Sequence, residues 1–245
     1  EVCARKAIQL NPDYALAHFN LGSILSELGK LKEAEVSTRK AIKLNPELAE
    51  AHLNLGNILK DLSKLQEAEV STRKAIELNP DLAEAHSNLG GILSDLTKLQ
   101  EAEASYRKAI ELNPDFTDAY FNLFKHYEQI NNLEKLRESL KEFGDIDSIK
   151  NELLLFRARL SFRNKDNQTA YKLISSISNQ WIEKTNNHKK ILFWSFKAFI
   201  EDSVRNYDIA YSCFEKSQKN SSYIQFNQDI FLNYIESYEE NINHQ

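Results

Sequence analysis

Asparagine recurs at one position of the sequence with a fixed spacing of 34 residues. A carboxamide carries hydrogen-bond donors and an acceptor, so a row of asparagines could pair with the amide groups of an extended peptide. Acidic residues at neighbouring positions would favour a ligand with some positive charge. The candidate peptide-binding residues are Asn20, Asn54, Asn88, Asn122, Asn57, Glu50, Glu84, Asp61 and Asp95.

The asparagine row has a second interpretation. The residue can belong to a repeated structural pattern alone, in which case its carboxamide bonds to water or to a neighbouring helix. Surface acids are also commonly only solvated. Peptide binding and a purely structural role are therefore both open at this point.

Histidine shows the same spacing, at His18, His52 and His86. Each of the three falls in a different repeat, and neighbouring repeats place equivalent residues about 10 Å apart. Ligands that far apart cannot share a metal ion, whose bonds are about 2 Å long. We therefore expect packing roles for these histidines and no metal site.

Other residue types that would indicate catalysis are missing or scattered. The sequence has six glycines, spread among turns and helix contacts, so no phosphate-binding loop is expected. The aromatic residues Phe193, Trp194, Phe196 and Phe199 follow helical spacing, which favours a core over a recognition surface. We predict that residues 1–245 hold no catalytic site and no cofactor.

The same spacing of 34 residues also predicts the helices that carry these rows. Around Ala34, Ala68 and Ala102 the sequence repeats a pattern that runs from A-H-x-N-L-G through L-x-E-A-E to R-K-A-I-x-L-N-P. A fixed period of this length is typical of stacked helical arrays. Between Ala49 and Pro80, apolar residues at helical spacing predict one helix that ends near Ser63 and a second that ends near Asn79.

Small residues recur where the two helices of a unit must approach closely, with axes roughly 8 to 10 Å apart. The recurring residues are Leu21-Gly22, Ala34, Ala41 and Pro46, then Leu55-Gly56, Ala68, Ala75 and Pro80, then Leu89-Gly90, Ala102, Ala109 and Pro114. This pattern resembles the tetratricopeptide repeat family. The resemblance implies an all-α fold, a right-handed α-solenoid of stacked antiparallel helix pairs. The asparagine row at positions 20, 54, 88 and 122 is also similar to the row that lines the repeat region of O-linked N-acetylglucosamine transferases.

The regular pattern weakens in the fourth unit. Phe124 stands where the small glycine belongs, and Leu136 and Phe143 replace alanines, so we expect the helix spacing to open there. Gly144 then indicates a helix end. We predict a regular array over residues 1–144 and divergent helical repeats over residues 145–245. A capping helix is expected at the end of the chain, with Ile230, Phe231, Tyr234, Ile235 and Tyr238 on its apolar face and Glu236, Glu239 and Glu240 off it.

Composition narrows the classes of partner. The formal net charge is −5, and the sequence shows no basic face that could bind along the phosphates of a nucleic acid. A nucleic-acid partner is therefore not expected. Cys3 and Cys213 are far apart and lack metal-ligand spacing, which favours a reducing compartment, the cytoplasm. The longest apolar stretch, residues 191–200, is too short for a membrane span. Glu1-Val2 aligns with Glu35-Val36, so we expect that the chain opens within a helix and is a fragment.

These observations predict a non-catalytic scaffold that binds a protein or extended peptide along the concave groove of the array. An alternative rests on a second resemblance, carried by residues 156–162, 191–198 and 206–210. These stretches are similar to the segment that precedes the catalytic domain in bacterial fusions of tetratricopeptide repeats with sulfotransferases. The chain would then be the docking region of a sulfotransferase, or of a glycosyltransferase, whose catalytic domain begins after Gln245.

Overall fold

A computed structural model describes residues 1–219 of the chain. Its secondary structure within that range is entirely helical, with fourteen α-helices and one short 3-10 helix. The chain divides into two compact units, of which the first comprises Glu1–Asn132 and the second begins at Leu133. The predicted all-α fold of stacked helix pairs is confirmed in both units.

Unit 1 contains eight helices within the described residues. They are α1 (Val2–Leu10), α2 (Ala15–Glu27), α3 (Leu31–Leu44), α4 (Ala49–Asp61), α5 (Leu65–Leu78), α6 (Ala83–Asp95), α7 (Leu99–Leu112) and α8 (Thr117–Gln129). Helices α2 with α3, α4 with α5, and α6 with α7 pack as antiparallel pairs, and each pair also contacts the next. We call α2, α4, α6 and α8 the first helices and α3, α5 and α7 the second helices.

The turn inside each pair is made by a residue in the left-handed region. Its φ is 72° at Gly29, 61° at Ser63 and 61° at Thr97. This conformation turns the chain sharply after the first helix, close to the predicted helix end near Ser63. The turn between pairs is made differently, because Pro80 keeps Asn79 extended, with φ −140° and ψ 91°.

The small residues act at the predicted contact inside each pair. A Cβ atom added at Gly22 would meet the Thr38 hydroxyl, and one added at Gly56 would meet the Thr72 hydroxyl. Both threonine hydroxyl oxygens are buried and have no hydrogen-bond partner within residues 1–219. The glycines therefore let the second helix pack directly against the backbone of the first.

The second helices are joined to one another by a lattice of exposed ion pairs with the period of the repeat. Arg39 lies 2.6 Å from Glu67 and 2.9 Å from Glu35, and Lys64 lies 2.8 Å from Glu35. The same links recur one repeat later, from Arg73 to Glu101 at 2.8 Å and from Lys98 to Glu69 at 2.7 Å. Apart from the bond from Arg39 to Glu35, which lies within α3, each of these links joins two neighbouring repeats.

Unit 2 is built from less regular pairs. Its described helices are α9 (Leu133–Glu142), a 3-10 helix (Asp147–Ile149), α10 (Lys150–Arg163), α11 (Asn167–Ser175), α12 (Asn179–Lys184), α13 (Asn187–Ser203) and α14 (Tyr207–Lys219). Small residues again lie in the core of its pairs: Ala158 and Ala170 are fully buried in α10 and α11, and Ala198 and Ala210 are fully buried in α13 and α14.

Aromatic side chains of α13 form core rather than a surface. Phe193 and Phe196 are buried, and Phe199 packs edge-on against Phe214 at 5.4 Å between ring centroids. Phe193 packs in the same way against Trp194, at 4.9 Å. The core interpretation of the aromatic cluster agrees with this packing.

One buried ion pair ties three helices of unit 2 together. Lys189 of α13 donates to Glu152 of α10 at 2.9 Å, and both side chains are almost completely buried. The indole N–H of Trp181, in the short helix α12, donates to the same carboxylate oxygen at 3.2 Å. The short insertion between α11 and α13 therefore supplies a hydrogen bond to the centre of the unit.

Two predictions are left open by the structure. The predicted capping helix, residues 230–240, lies outside the described residues. The predicted division into a regular array over residues 1–144 and divergent repeats over residues 145–245 remains a prediction; Gly144 itself lies in unit 2, just after α9. None of the described helices has both the length and the apolar run that crossing a membrane requires.

Candidate functional site

The first helices of unit 1 lie side by side and present the predicted asparagine row. Helix α4 contacts α2 and α6, and α6 contacts α8. Asn54 donates to the Ser23 hydroxyl at 3.0 Å, and Asn88 donates to the Asn57 carboxamide oxygen at 2.9 Å. The asparagine of each of these repeats is therefore bonded to the first helix of the preceding repeat.

Asn122 donates to a different acceptor, the Ser87 hydroxyl, at 3.3 Å. Asn20 is exposed and makes no hydrogen bond to another residue of the described part of the chain. The three inner asparagines are half-buried, and each uses one N–H in a bond between repeats. Each carboxamide therefore still has its second N–H as a donor and its carbonyl oxygen as an acceptor for another partner.

These bonds bear on both interpretations of the row. A bond to the neighbouring helix is what the structural interpretation expects, and it gives the asparagines a role in stacking. The same bond fixes the orientation of the carboxamide, which lowers the entropy that a ligand would have to remove on binding. The structural role therefore does not compete with peptide binding.

The predicted acidic residues fall into two environments. Glu50 and Glu84 are exposed near the start of their helices and form no ion pair within residues 1–219. Asp61 and Asp95 lie at the ends of α4 and α6. Desolvation raises the pKa of Asp61, partly offset by the positive charge of Lys60, and Asp95 lies 3.5 Å from the Lys60 ammonium. One of the four acids is thus already paired with a lysine.

The histidine row has a structural contact in every repeat. His18, His52 and His86 each place Nε2 at 2.8 to 2.9 Å from the carbonyl oxygen of the proline six residues earlier. In the fourth unit Tyr120 takes this position and donates to Pro114 at 3.0 Å. This contact fixes each first helix to the turn before it. No group of three potential metal ligands occurs among residues 1–219.

Several residues of this face were missed by sequence reasoning. Ser23 and Ser87 accept bonds from the asparagine row, Lys60 pairs with Asp95, and the Ser94 hydroxyl lies 3.0 Å from His126 Nδ1. A signal was available for one of them. Position 23 lies three residues after Asn20, one helical turn along the same face.

A second concave feature lies between the second helices. A cavity of about 660 Å³ opens between α3 and α5 over α4, with apolar walls that include Ile42, Leu55, Leu59 and Val70. A related cavity of about 480 Å³ lies one repeat later, against Ile76 and Leu89. No residue of the asparagine row lines either cavity. Unit 1 therefore has two separate surfaces that a peptide could occupy.

Comparison with known proteins identifies the repeats. The model of the tetratricopeptide repeat family matches residues 15–48, 49–82 and 83–116. No curated protein matches the sequence. Residues 15–116 are thus three tetratricopeptide repeats, as predicted.

Solved structures with a similar fold include tetratricopeptide repeat proteins. A tetratricopeptide repeat protein from Parabacteroides merdae is 18% identical, with a TM-score of 0.71, and the match covers 95% of this chain and 88% of that one. Pseudomonas aeruginosa PilF is 20% identical, with a TM-score of 0.62 and coverages of 92% and 97%. YrrB, described as a TPR protein with an unusual peptide-binding site, is 21% identical, with a TM-score of 0.53 and coverages of 70% and 89%. At these identities the likeness shows the fold, and together with the repeats it supports a scaffold for protein interaction.

Proposed function

We propose that unit 1 binds an extended peptide or protein segment along its first helices, on the face that carries Asn20, Asn54, Asn88 and Asn122. The observation that supports this most is the pair of bonds from Asn54 to Ser23 and from Asn88 to Asn57. They hold successive carboxamides in the same setting, one per repeat. A ligand would meet a row of oriented polar groups.

The spacing of the row suits an extended chain. Neighbouring helices are about 10 Å apart and an extended peptide advances about 3.3 Å per residue, so each repeat would meet roughly every third residue. A hydrogen bond contributes about 0.5 to 1.5 kcal/mol net, so a few backbone contacts give weak binding. Side-chain contacts along the face must supply the rest. Exposed Glu50 and Glu84 favour a positive residue near the start of the helices.

The test is peptide capture by the full chain in which Asn54→Ala is combined with Asn88→Ala. The double variant should lose capture of unstructured peptides from a displayed library. It also loses two bonds between repeats, so we expect about 1 to 3 kcal/mol lower stability, and binding must be measured where circular dichroism shows folded protein.

Two control variants separate binding from stacking. Ser23→Ala removes the acceptor of Asn54 but leaves every asparagine, so it should cost stability and weaken capture much less than the asparagine double variant. Val70→Ser alters the cavity between α3 and α5 and should also keep capture. If Val70→Ser loses capture and the asparagine double variant keeps it, the peptide site lies on the second helices and the proposal is wrong.

The alternative from sequence, a docking region of a sulfotransferase or glycosyltransferase, has less support. Phe156, Phe193 and Ala198, which belong to the stretches that carried this resemblance, are buried in unit 2. Packing therefore accounts for their presence. The reading frame after Gln245 tests the idea, because a glycine-rich phosphate-binding turn after an apolar strand would support it.

A cytoplasmic location is likewise proposed from the cysteines. Both are free thiols, and Cys213 is buried in the α13–α14 pair, where desolvation raises its pKa. A thiol of this kind reacts slowly, because the thiolate is the reactive form. Measuring the thiol content of protein isolated under non-reducing conditions would test whether both remain reduced.

A further inference from the structure

A row of exposed valines runs across the second helices of unit 1. Val36 of α3 and Val70 of α5 hold the same position in successive repeats, and each is 71% exposed. Val2 of α1 belongs to the same row and is also exposed, whereas α7 has the smaller Ala104 at this position. Exposed apolar residues that occur singly are ordinary, but these recur with the spacing of the array. The second helices therefore present a regular apolar row to solvent.

The grooves between the second helices are apolar as well. Val70 lies at the wall of the cavity of about 660 Å³ between α3 and α5, which Ile42 and Leu59 also line. The cavity of about 480 Å³ between α5 and α7 repeats this arrangement with Ile76 and Leu89. Helices pack by placing the side-chain ridges of one in the grooves of another. A helical surface with apolar ridges at the same spacing would therefore fill both grooves.

The charges around the valines are balanced. Each ion-pair link between neighbouring second helices joins one cation to one carboxylate, as from Arg39 to Glu67 and from Lys64 to Glu35. A lattice of such pairs has no net charge and carries both signs side by side. It does not favour a strongly acidic or a strongly basic partner, and it does not repel a surface of its own kind.

A second copy of this chain fits all three features. Its second helices have the same spacing, the same exposed valines and the same alternating charges. A two-fold axis that lies in the interface pairs this face with itself. If the helices of the two copies cross at about 20° to 50°, the ridges that carry Val36 and Val70 can enter the grooves of the partner.

The size of the face sets the strength of this contact. Helices α3, α5 and α7 have 14 residues each. At 1.5 Å per residue and about 10 Å between axes, they cover roughly 400 to 600 Å² on each copy. The total, roughly 1,000 Å², lies at the low end for specific interfaces, so a weak and reversible dimer is expected.

We propose that two copies of this chain associate through the second helices of unit 1, with Val36 and Val70 at the centre of the interface. The dimer does not depend on the proposed peptide-binding face, because that face lies on the first helices. Each dimer would therefore keep two asparagine rows free for ligands.

Sedimentation equilibrium of the full chain from about 1 µM to 1 mM tests the proposal. We expect the parent to dimerise with a Kd of about 10 to 100 µM. Val36→Glu combined with Val70→Glu should weaken the dimer at least 10-fold, because it brings carboxylates into an apolar contact. Glutamate favours helix more than valine does, so the variant should stay folded, which circular dichroism verifies.

A matched control places the same charges elsewhere. Leu16→Glu combined with Ile209→Glu also replaces two exposed apolar side chains, and Leu16→Glu installs the residue that the next repeats have at Glu50 and Glu84. This variant should keep the Kd of the parent within about 2-fold. Ala104→Val extends the valine row to α7 and should tighten the dimer by about 3- to 10-fold.

Three results would overturn the proposal. A parent chain that is monomeric at 1 mM has no such interface. A dimer that survives Val36→Glu with Val70→Glu is formed by another surface. A control variant that weakens the dimer as much as the valine variant shows that added charge, and not the valine row, governs the association.

Discussion

Units 1 and 2 are both built from helix pairs, but the polar contacts that stabilise the pairs differ between the two units. In unit 1 the polar contacts are exposed, shared between neighbouring repeats and copied from one repeat to the next, as in the links from Arg39 to Glu67 and from Arg73 to Glu101. In unit 2 the central polar contact occurs once in the described residues, is buried, and joins Glu152, Lys189 and Trp181. The periodic unit distributes its stability, whereas the divergent unit concentrates it.

The difference has an energetic reason. Exposed ion pairs contribute about 0.2 to 1 kcal/mol each, so their loss is tolerated one at a time. A buried charge that loses its partner costs about 3 to 5 kcal/mol, because it cannot be resolvated. A single substitution should therefore have its largest effect in unit 2.

The first prediction tests this directly. Lys189→Ala should destabilise unit 2 by about 3 to 5 kcal/mol, because it leaves the Glu152 carboxylate buried without its cation. Both tryptophans of the chain, Trp181 and Trp194, lie in this unit. Urea unfolding followed by tryptophan fluorescence therefore reports unit 2, and circular dichroism reports both units.

The control for this prediction removes both charges. Glu152→Gln combined with Lys189→Met keeps an acceptor for the Trp181 indole and should cost much less than Lys189→Ala. The circular dichroism signal of unit 1 should persist after the fluorescence transition of Lys189→Ala is complete. A single transition shared by both signals in every variant would show that the two units unfold as one.

The second prediction concerns the close contact inside a repeat of unit 1. Gly56→Phe should destabilise this unit by about 1 to 3 kcal/mol or more, because even a Cβ atom there meets Thr72. Thr72→Val is the matched control, since it keeps the volume and removes a buried hydroxyl that has no hydrogen-bond partner within residues 1–219. It should be neutral or stabilising. Urea midpoints of Gly56→Phe equal to those of the parent would mean that the helices do not pack as closely as described.

The third prediction, with the smallest expected effect, concerns the contribution of the ion-pair lattice to the stability of unit 1, which should depend on pH. A hydrogen bond from Lys64 lowers the pKa of Glu35 most strongly, with a further contribution from Arg39, and Lys98 and Arg73 act in the same way on Glu69. A lowered pKa in the folded state stabilises the protein above the ordinary glutamate value of about 4.3, and this stabilisation is lost as the pH falls through the lower value.

The measurement is the difference between the parent and Glu35→Gln combined with Glu69→Gln. We expect the double variant to be less stable by about 1 kcal/mol at pH 7 and low salt, with a smaller difference in high salt and a progressively smaller one as the pH falls below about 4.3. The difference should appear in the circular dichroism transition of unit 1 and be absent from tryptophan fluorescence. A difference that is constant over this pH range would remove the lattice as its cause.

The features that recur in every repeat could be predicted from the sequence. The ends of α4 and α5 near Ser63 and Asn79 and the glycine contact at Gly56 all follow from local rules applied to a unit that occurs several times. The left-handed residues Lys165 and Arg205 in unit 2 were not predicted, because neither residue type favours that conformation by itself.

The contacts that were missed depend on single departures from the period. Glu152 and Lys189 are 37 residues apart, and no spacing rule connects them before the fold is known. Gly91 and Tyr106 looked like ordinary variation, because the packing of Lys60 over Gly91 and of the Tyr106 ring over Gly90 is visible only in the fold. In a repeat sequence the residues that recur indicate the fold. The contacts of residues that differ between repeats become visible only in the structure.

The contact between each first helix and the proline turn before it has a consequence for how the array can change length. His52 bonds to Pro46, Asn54 to Ser23, and Arg39 to Glu67, so every polar link of the second repeat is local to it or reaches one neighbour. Duplication of residues 49–82 would create one new junction, between the two copies, in which equivalent partners are present again. Unit 1 can therefore be lengthened or shortened by whole repeats with the same kinds of contact, whereas an insertion of another length inside a repeat would shift the register of the links that span it.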